Sequence, residues 1–129
     1  RIAIPARHRE LLTAMGVSQL TITKQPPGRS LMVFPRPVWE RFRDKLIAIP
    51  GDATNWKRIY LGSAMDVDLD ASSRVLIAPE LRAFAKLERD VMLLGLGSHL
   101  ELWDAQTYAE HEAAVMQSEM PESLKNFSF

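Results

Sequence analysis

The chain contains an internal repeat. Its opening, Arg1-Ile-Ala-Ile-Pro5-Ala-Arg7-His-Arg9, is echoed by Arg74-Val-Leu-Ile-Ala-Pro79-Glu-Leu-Arg82. Arg1 matches Arg74 and Arg9 matches Arg82, both at an offset of 73 with no gap between them. Solenoids use shorter periods, about 20–50 residues, and at least three copies. Two long copies point instead to a tandem pseudo-dimer. The second copy is the complete one: Asp70 and Arg74 bracket a short polar turn, an apolar strand follows, and Pro79 opens a helix that carries Arg82.

At 129 residues the chain is long enough for one domain, or for two half-domains that share a core. A hydrophobic share of 47% with 25% charged residues is that of an ordinary globular protein. The absence of cysteine excludes disulfides and thiolate chemistry and fits a reducing cytosol. Val91 to Gly97, among the longest apolar runs, is far short of the ~20 residues that span a bilayer. The opening on Arg1, without a methionine, leads us to expect further residues before it in the natural protein. The net charge of zero hides an asymmetry. Residues 1–64 hold 11 of the 16 Lys and Arg but only Glu10, Glu40, Asp44 and Asp52 among the acids, a net of +7. Residues 65–129 hold five basic and 12 acidic residues, a net of −7. Such polarity suits either a polyanion-binding face or head-to-tail self-association.

Pattern places the elements. Arg1 to Ile4 reads as the end of a strand, and Pro5, tolerated in a first helical turn, leads into a helix over Ala6 to Met15. That helix carries Leu11, Leu12 and Met15 on one face, and Gly16 ends it. Gln19 to Lys24 alternates polar with apolar side chains and is rich in β-branched residues, as a half-buried strand is. Gln25-Pro-Pro-Gly-Arg29 turns it into a second strand, Leu31 to Phe34. From Pro37, the residues Val38, Trp39, Phe42, Leu46 and Ile49 recur at helical spacing. A further helix, Trp56 to Gly62, is expected to face Trp56, Ile59 and Tyr60 inward. Met65 to Leu69 leads as a strand into the Asp70 turn.

The second half then repeats the order. Arg74 to Ile77 reads as a strand and Pro79 to Leu87 as a helix burying Leu81 and Phe84. Val91 to Leu96 and Leu100 to Trp103 make a hairpin around Gly97-Ser98-His99, and Asp104 is a good N-cap for the helix that follows. At an offset of 69, Trp103 matches Phe34, Tyr108 matches Trp39, His111 matches Phe42 and Val115 matches Leu46. The tail after Pro121 has little pattern; it is either frayed or docked through Leu124, Phe127 and Phe129.

Enzyme chemistry finds no support. His8, His99 and His111 are scattered over a helix, a turn and another helix. His111-Glu112 begins like a zincin motif, but Val115 stands where the second histidine belongs. Asp66, Asp68 and Asp70 alternate as on one strand face, an arrangement that suits a hard cation but is more commonly a solvated face. No phosphate-cradling glycine loop and no nucleophile–base set are visible. We expect no catalytic residue, no metal and no cofactor.

Arginine is another matter. Arg1, Arg7 and Arg9 cluster at a strand end and the following helix, with Lys24 and Arg29 on the nearby hairpin. Guanidinium groups fork onto phosphates and onto guanine edges, which suits both positioning and base readout. Such a cluster is also common as plain solvated surface, and charge alone does not decide. Arg74 is equally open: it either pairs with Asp70 to close its own turn, at little gain if exposed, or stands ready for a phosphate.

The two Arg-to-Arg segments resemble the core of the swapped-hairpin DNA-binding fold of AbrB and SpoVT regulators. The tandem copy, Asp70 and Arg74, Met92-Leu-Leu-Gly95 and Leu100-Glu-Leu-Trp-Asp104 together resemble the MraZ family across nearly the whole chain. That resemblance implies a bacterial transcriptional repressor of its own operon, at the head of the division and cell-wall gene cluster. It implies binding to short direct repeats in double-stranded promoter DNA, a ring-shaped homo-oligomer, and a place in the cytoplasm on the nucleoid. In the family an Asp-x-Lys-Gly segment precedes the arginine that matches Arg1, and this sequence lacks that portion.

The expected fold is α+β, with two tandem AbrB/SpoVT-like half-domains forming a pseudo-two-fold double-split β-barrel with flanking helices. Residues 1–49 would be the first half-domain, 50–64 a linker with a short helix, 65–117 the second half-domain and 118–129 a tail. Arg1, Arg7, Arg9 and Lys24 are the expected DNA contacts. Asp70, Arg74 and Arg82 are family-motif residues with a role in structure or in DNA binding. An antitoxin of the same fold, masking a toxin partner, and a self-assembling protein without a DNA role are the alternatives.

Overall fold

The computed structural model describes residues 1–26 and 29–127. The tip of the first hairpin (Pro27, Gly28), Phe129 and the Leu11 side chain lie outside the described residues. The chain runs β1 (Ile2–Ala3), α1 (Ala6–Ala14), β2 (Gln19–Gln25), β3 (Ser30–Pro35) and α2 (Arg36–Ala48). A 3-10 turn (Gly51–Ala53) then leads into α3 (Thr54–Gly62), β4 (Met65–Asp68), β5 (Arg74–Val75) and α4 (Pro79–Ala85). The last elements are β6 (Val91–Gly95), β7 (Leu100–Asp104), α5 (Ala105–Gln117) and α6 (Glu122–Lys125).

Local chemistry explains most of these boundaries. The Asp104 carboxylate accepts the Thr107 N–H at 3.1 Å, the N-cap its position predicts. Pro79 opens α4, and Lys86 ends it in the left-handed region at φ 53°. The strand expected over Arg74 to Ile77 stops at Val75. Its partner β1 is two residues long and pairs Ile2 with Val75 and Ala3 with Arg74. The strand expected from Met65 stops at Asp68, so Asp70 does not share its face.

The strands form two antiparallel sheets, β1-β5 and β4-β2-β3-β7-β6. Among the described residues they do not close into a barrel. What joins the two repeats is the register. Ile2 lies directly opposite Val75, and Met32 lies directly opposite Glu101. The first pair is separated by the repeat offset of 73 and the second by the offset of 69. These two pairings between repeats are thus each centred on two equivalent residues. The repeats also interleave, because β4 adds to the outer edge of the first hairpin, with Leu20 opposite Val67.

Alternation along β3 sends its side chains to two different clusters. Leu31 and Val33 join a core drawn from both repeats, including Ile4, Leu12, Ile77 and Leu102. Met32 and Phe34 point the other way, against Trp39, Phe42 and Tyr60. Burying a side chain of this size removes it from water at a gain of roughly 1.5–3 kcal/mol. The polar groups between the layers are paired: Thr21 donates to Asp66 at 2.9 Å, Ser30 donates to Gln25 at 2.9 Å, and Thr23 bonds the Tyr60 carbonyl.

The aromatic residues repeat as a set. Phe34, Trp39 and Phe42 pack with centroids 5.0 to 5.7 Å apart. Their matches Trp103, Tyr108 and His111 pack at 4.9 to 6.4 Å. His111 therefore stacks on Trp103 as Phe42 stacks on Phe34. Two expectations need correction. Trp56 does not face inward: it is 52% exposed, because it stands in the first turn of α3, before that helix reaches the cluster at Tyr60 and Leu61. Met15 is also exposed, lying just past the end of α1.

Candidate nucleic-acid interface

The candidate interface begins with the turn that Asp70 builds. One oxygen of its carboxylate, Oδ1, accepts the backbone N–H groups of Ser72 at 2.8 Å and Arg74 at 2.9 Å. The other, Oδ2, accepts Arg74 Nε at 3.1 Å and lies 3.9 Å from Arg1 Nη1. The carboxyl is held below the ordinary aspartate value of 3.8, first by the Arg74 N–H and then, against some desolvation, by Ser72 and the Arg74 guanidinium. A single carboxylate thus holds together two arginines that are repeat equivalents.

The first repeat completes the cluster. The Ile4 N–H donates to the Ser73 carbonyl at 2.9 Å, fixing the entry to α1 against the turn. Arg9, on α1, then reaches back to Ser73 Oγ at 3.4 Å. Ser73 itself has φ 57°, a left-handed conformation that the tight turn imposes on a non-glycine residue. Arg1, Arg9 and Arg74 therefore converge on one turn. The Arg1 and Arg74 side chains are 48% and 49% exposed, so each keeps guanidinium donors facing solvent. A groove of about 560 Å³ runs beside the turn, lined by Arg9, Leu12, Thr13, Val17, Leu69 and Ser73.

The remaining expected residues lie elsewhere. Arg7 is exposed on α1 and donates to the His8 ring at 3.3 Å. Lys24 is on β2, 3.4 Å from Glu80 and 5.2 Å from the centre of the Phe84 ring, so α4 occupies it. Arg82 is half-buried on α4. Pattern alone did not show that Arg1 would share a carboxylate with Arg74, or that Ser73 would meet Arg9. The signal was the offset of 73, which makes Arg1 and Arg74 equivalents, once β1 and β5 are known to pair.

Asp66, read from the sequence as part of a solvated strand face rather than a cation site, pairs with Arg36, which also donates to Thr21 at 3.1 Å. Among the described residues no three acidic or histidine side chains gather as a metal site would require. No helix among them is long and apolar enough to cross a membrane.

Fold and site together define a duplicated α+β protein whose two repeats meet at a shared, arginine-bearing turn. Comparison with known proteins places it more closely. Residues 60–125 match the family model described as "MraZ protein, putative antitoxin-like". The Transcriptional regulator MraZ of Methylibium petroleiphilum is 63% identical over 129 residues, all of this chain and 88% of the relative. That of Leptothrix cholodnii is 62% identical over the same shares, and that of Ralstonia pickettii 60% identical over all of this chain and 90% of the relative. The chain belongs to the MraZ family. These relatives are named for regulation and not for an enzymatic activity.

Proposed function

We propose that this protein is a transcriptional regulator that binds double-stranded promoter DNA through the turn shared by its two repeats. The observation that carries the reading is the gathering of Arg1 and Arg74 on Asp70, with Arg9 beside them. Guanidinium groups anchored at one edge and open at the other can fork onto phosphate oxygens or a guanine edge. Arg1, Arg7 and Arg9 belong to the basic half and are the leading contacts. Lys24 is a peripheral one, while Asp70, Arg74 and Arg82 shape the frame.

The finer reading follows the family resemblance. The protein represses its own operon in the division and cell-wall gene cluster, binds short direct repeats, and acts as a ring-shaped homo-oligomer on the nucleoid in the cytoplasm. Residues 1–49 and 65–117 act as half-domains joined by 50–64, with 118–129 as a tail. The two sheets are parts of a pseudo-two-fold double-split barrel, a reading supported by Ile2 and Met32 lying opposite their own equivalents. Many weak contacts across a ring and across repeated DNA boxes would add through effective concentration, which offsets the zero net charge.

The test is a gel shift and footprint on the DNA upstream of the gene, using the full-length protein at two salt concentrations. Phosphate contacts impose a salt slope. Arg1→Ala is expected to weaken binding and to reduce that slope by about one, with the oligomer intact. Unchanged affinity would remove Arg1 from the site. The family's description as antitoxin-like favours one other reading, an antitoxin that regulates its own operon. It would copurify with a small toxic partner.

A further inference from the structure

We propose that the groove beside the shared turn binds a small α-amino acid with an apolar side chain, and that this ligand competes with DNA for Arg9. The site is argued from the groove itself; its effect on DNA rests on the reading above.

One face of α1 forms a wall of the groove. Ala6, Arg9, Glu10, Thr13 and Ala14 all line it, and their helical spacing sets them on one side of that helix. Leu12, 4% exposed, lines it as well. The rest of the lining, Val17, Leu69 and Ser73, comes from outside the helix. Backbone bonds fix those segments. The Val17 N–H donates to the Leu12 carbonyl and the Leu69 N–H to the Ser18 carbonyl, both at 2.9 Å. At about 560 Å³ the groove is within the size range of small-molecule sites.

Charge selects the ligand. Arg9 and Glu10 are consecutive and exposed, and among the described residues neither enters an ion pair. The bond from Arg9 to Ser73 Oγ is long, at 3.4 Å, and leaves further guanidinium donors open. The groove thus offers a cation and an anion side by side, with Leu12, Val17 and Leu69 as apolar surface. An α-amino acid is the complement, because it carries a carboxylate, an ammonium and a side chain on one carbon. The carboxylate accepts from the Arg9 guanidinium and the ammonium donates to the Glu10 carboxylate. A branched or aromatic side chain then covers the apolar surface. A simple anion would face Glu10 unpaired, and a simple cation would face Arg9.

The repeat shows that the fold does not require this groove. At the offset of 73, Glu10 matches Ala83 and Ala14 matches Leu87. Leu87 is 7% exposed and belongs to the core. Where the first repeat keeps a small residue and an acid, the second has a buried side chain and no charge. Arg9 carries the consequence for DNA. A carboxylate on its fork neutralises the cation that would meet a phosphate. By linkage, ligand and DNA each weaken the binding of the other.

Equilibrium dialysis of radiolabelled L-leucine against the full-length protein tests the site. Leucine is expected to bind. Leucinamide lacks the carboxylate and N-acetylleucine lacks the ammonium, so each should compete about tenfold more weakly, the loss of one hydrogen bond between charged groups. Glu10→Gln should bind leucine about tenfold more weakly and leave promoter affinity unchanged. Ala14→Leu copies the second repeat at an exposed position, and it should abolish binding with an unchanged melting curve. No leucine retained at millimolar concentration, equal competition by all three compounds, or wild-type binding in either variant would overturn the site. In a gel shift, leucine should weaken promoter binding by the wild type and not by Glu10→Gln. Leucine that binds without altering the shift would overturn the competition and leave the site standing. A protein that binds leucine and no DNA would overturn the reading above and not the site.

Discussion

Ile2 and Val75 occupy the same position in the two repeats and lie directly opposite each other in the β1–β5 pair. That single pairing explains why the arginines meet. Arg1 precedes Ile2 and Arg74 precedes Val75, so both reach the turn that Asp70 closes, and one carboxylate serves both. The better-preserved repeat supplies the clamp, and the basic repeat supplies Arg1 and Arg9. The proposed DNA-binding surface thus belongs to neither repeat alone.

The Asp70 carboxyl, held below its ordinary value, contributes stability that is present above 3.8 and is lost as pH falls through its lower folded value. Asp70→Asn keeps an oxygen to accept the Ser72 and Arg74 N–H groups but removes the charge. The variant should lose this part of the acid dependence of its melting temperature. An identical acid profile in wild type and variant would show that the clamp contributes nothing to folding.

Two histidines act in the opposite window from a salt-bridged histidine. His99 is lowered from 6.5 by burial against Phe34, with Glu101 opposing, and His8 is lowered by burial and by Arg7, with its bond to the Leu93 carbonyl opposing. Below 6.5 the unfolded chain binds more protons than the folded one, so stability declines as pH falls through that value. His99→Phe preserves the stack on Phe34, 5.0 Å away, and removes the proton. Its stability should vary less with pH in this range, as thermal melts on both sides of 6.5 would record.

Gly95 provides a steric test of how the first repeat closes on the second. A Cβ at this position would lie 3.2 Å from His8 Cε1, where the ring from α1 reaches β6. Gly95→Ala should displace the ring and destabilise the fold, by about 1 kcal/mol if the ring's hydrogen bond to Leu93 is lost. Adding His8→Ala should make the glycine substitution nearly neutral, and a thermodynamic cycle of the four proteins measures that coupling.

Lys86 ends α4 at φ 53°, a conformation that costs an L-residue roughly 1–2 kcal/mol and glycine little. Lys86→Gly should raise stability by about 1 kcal/mol in a denaturant melt, since glycine is the preferred helix-ending residue in this conformation. A loss of stability would mean that the Lys86 side chain contributes more than the backbone strain costs.

Much of this protein is determined by its sequence. Period-2 and helical spacing place the strands and helices to within a few residues, because a side chain's burial depends on its position along its own element. The repeat could be read from Arg1, Arg74 and the aromatic matches, because two equivalent folds require equivalent side chains at equivalent places. The exposure of Trp56 could not, since helical spacing says which residues share a face but not where the neighbouring cluster ends. Nor could the shared turn: 69 residues separate Arg1 from Asp70, and only the β1–β5 register brings one guanidinium to the other repeat's carboxylate. Lys24 illustrates the same limit, for its charge is plain in the sequence and its occupation by Glu80 and Phe84 is not. Local pattern sets what each segment becomes. Which charges remain free to meet a partner is decided by strand pairing, which is long-range and leaves no mark on the residues next to it.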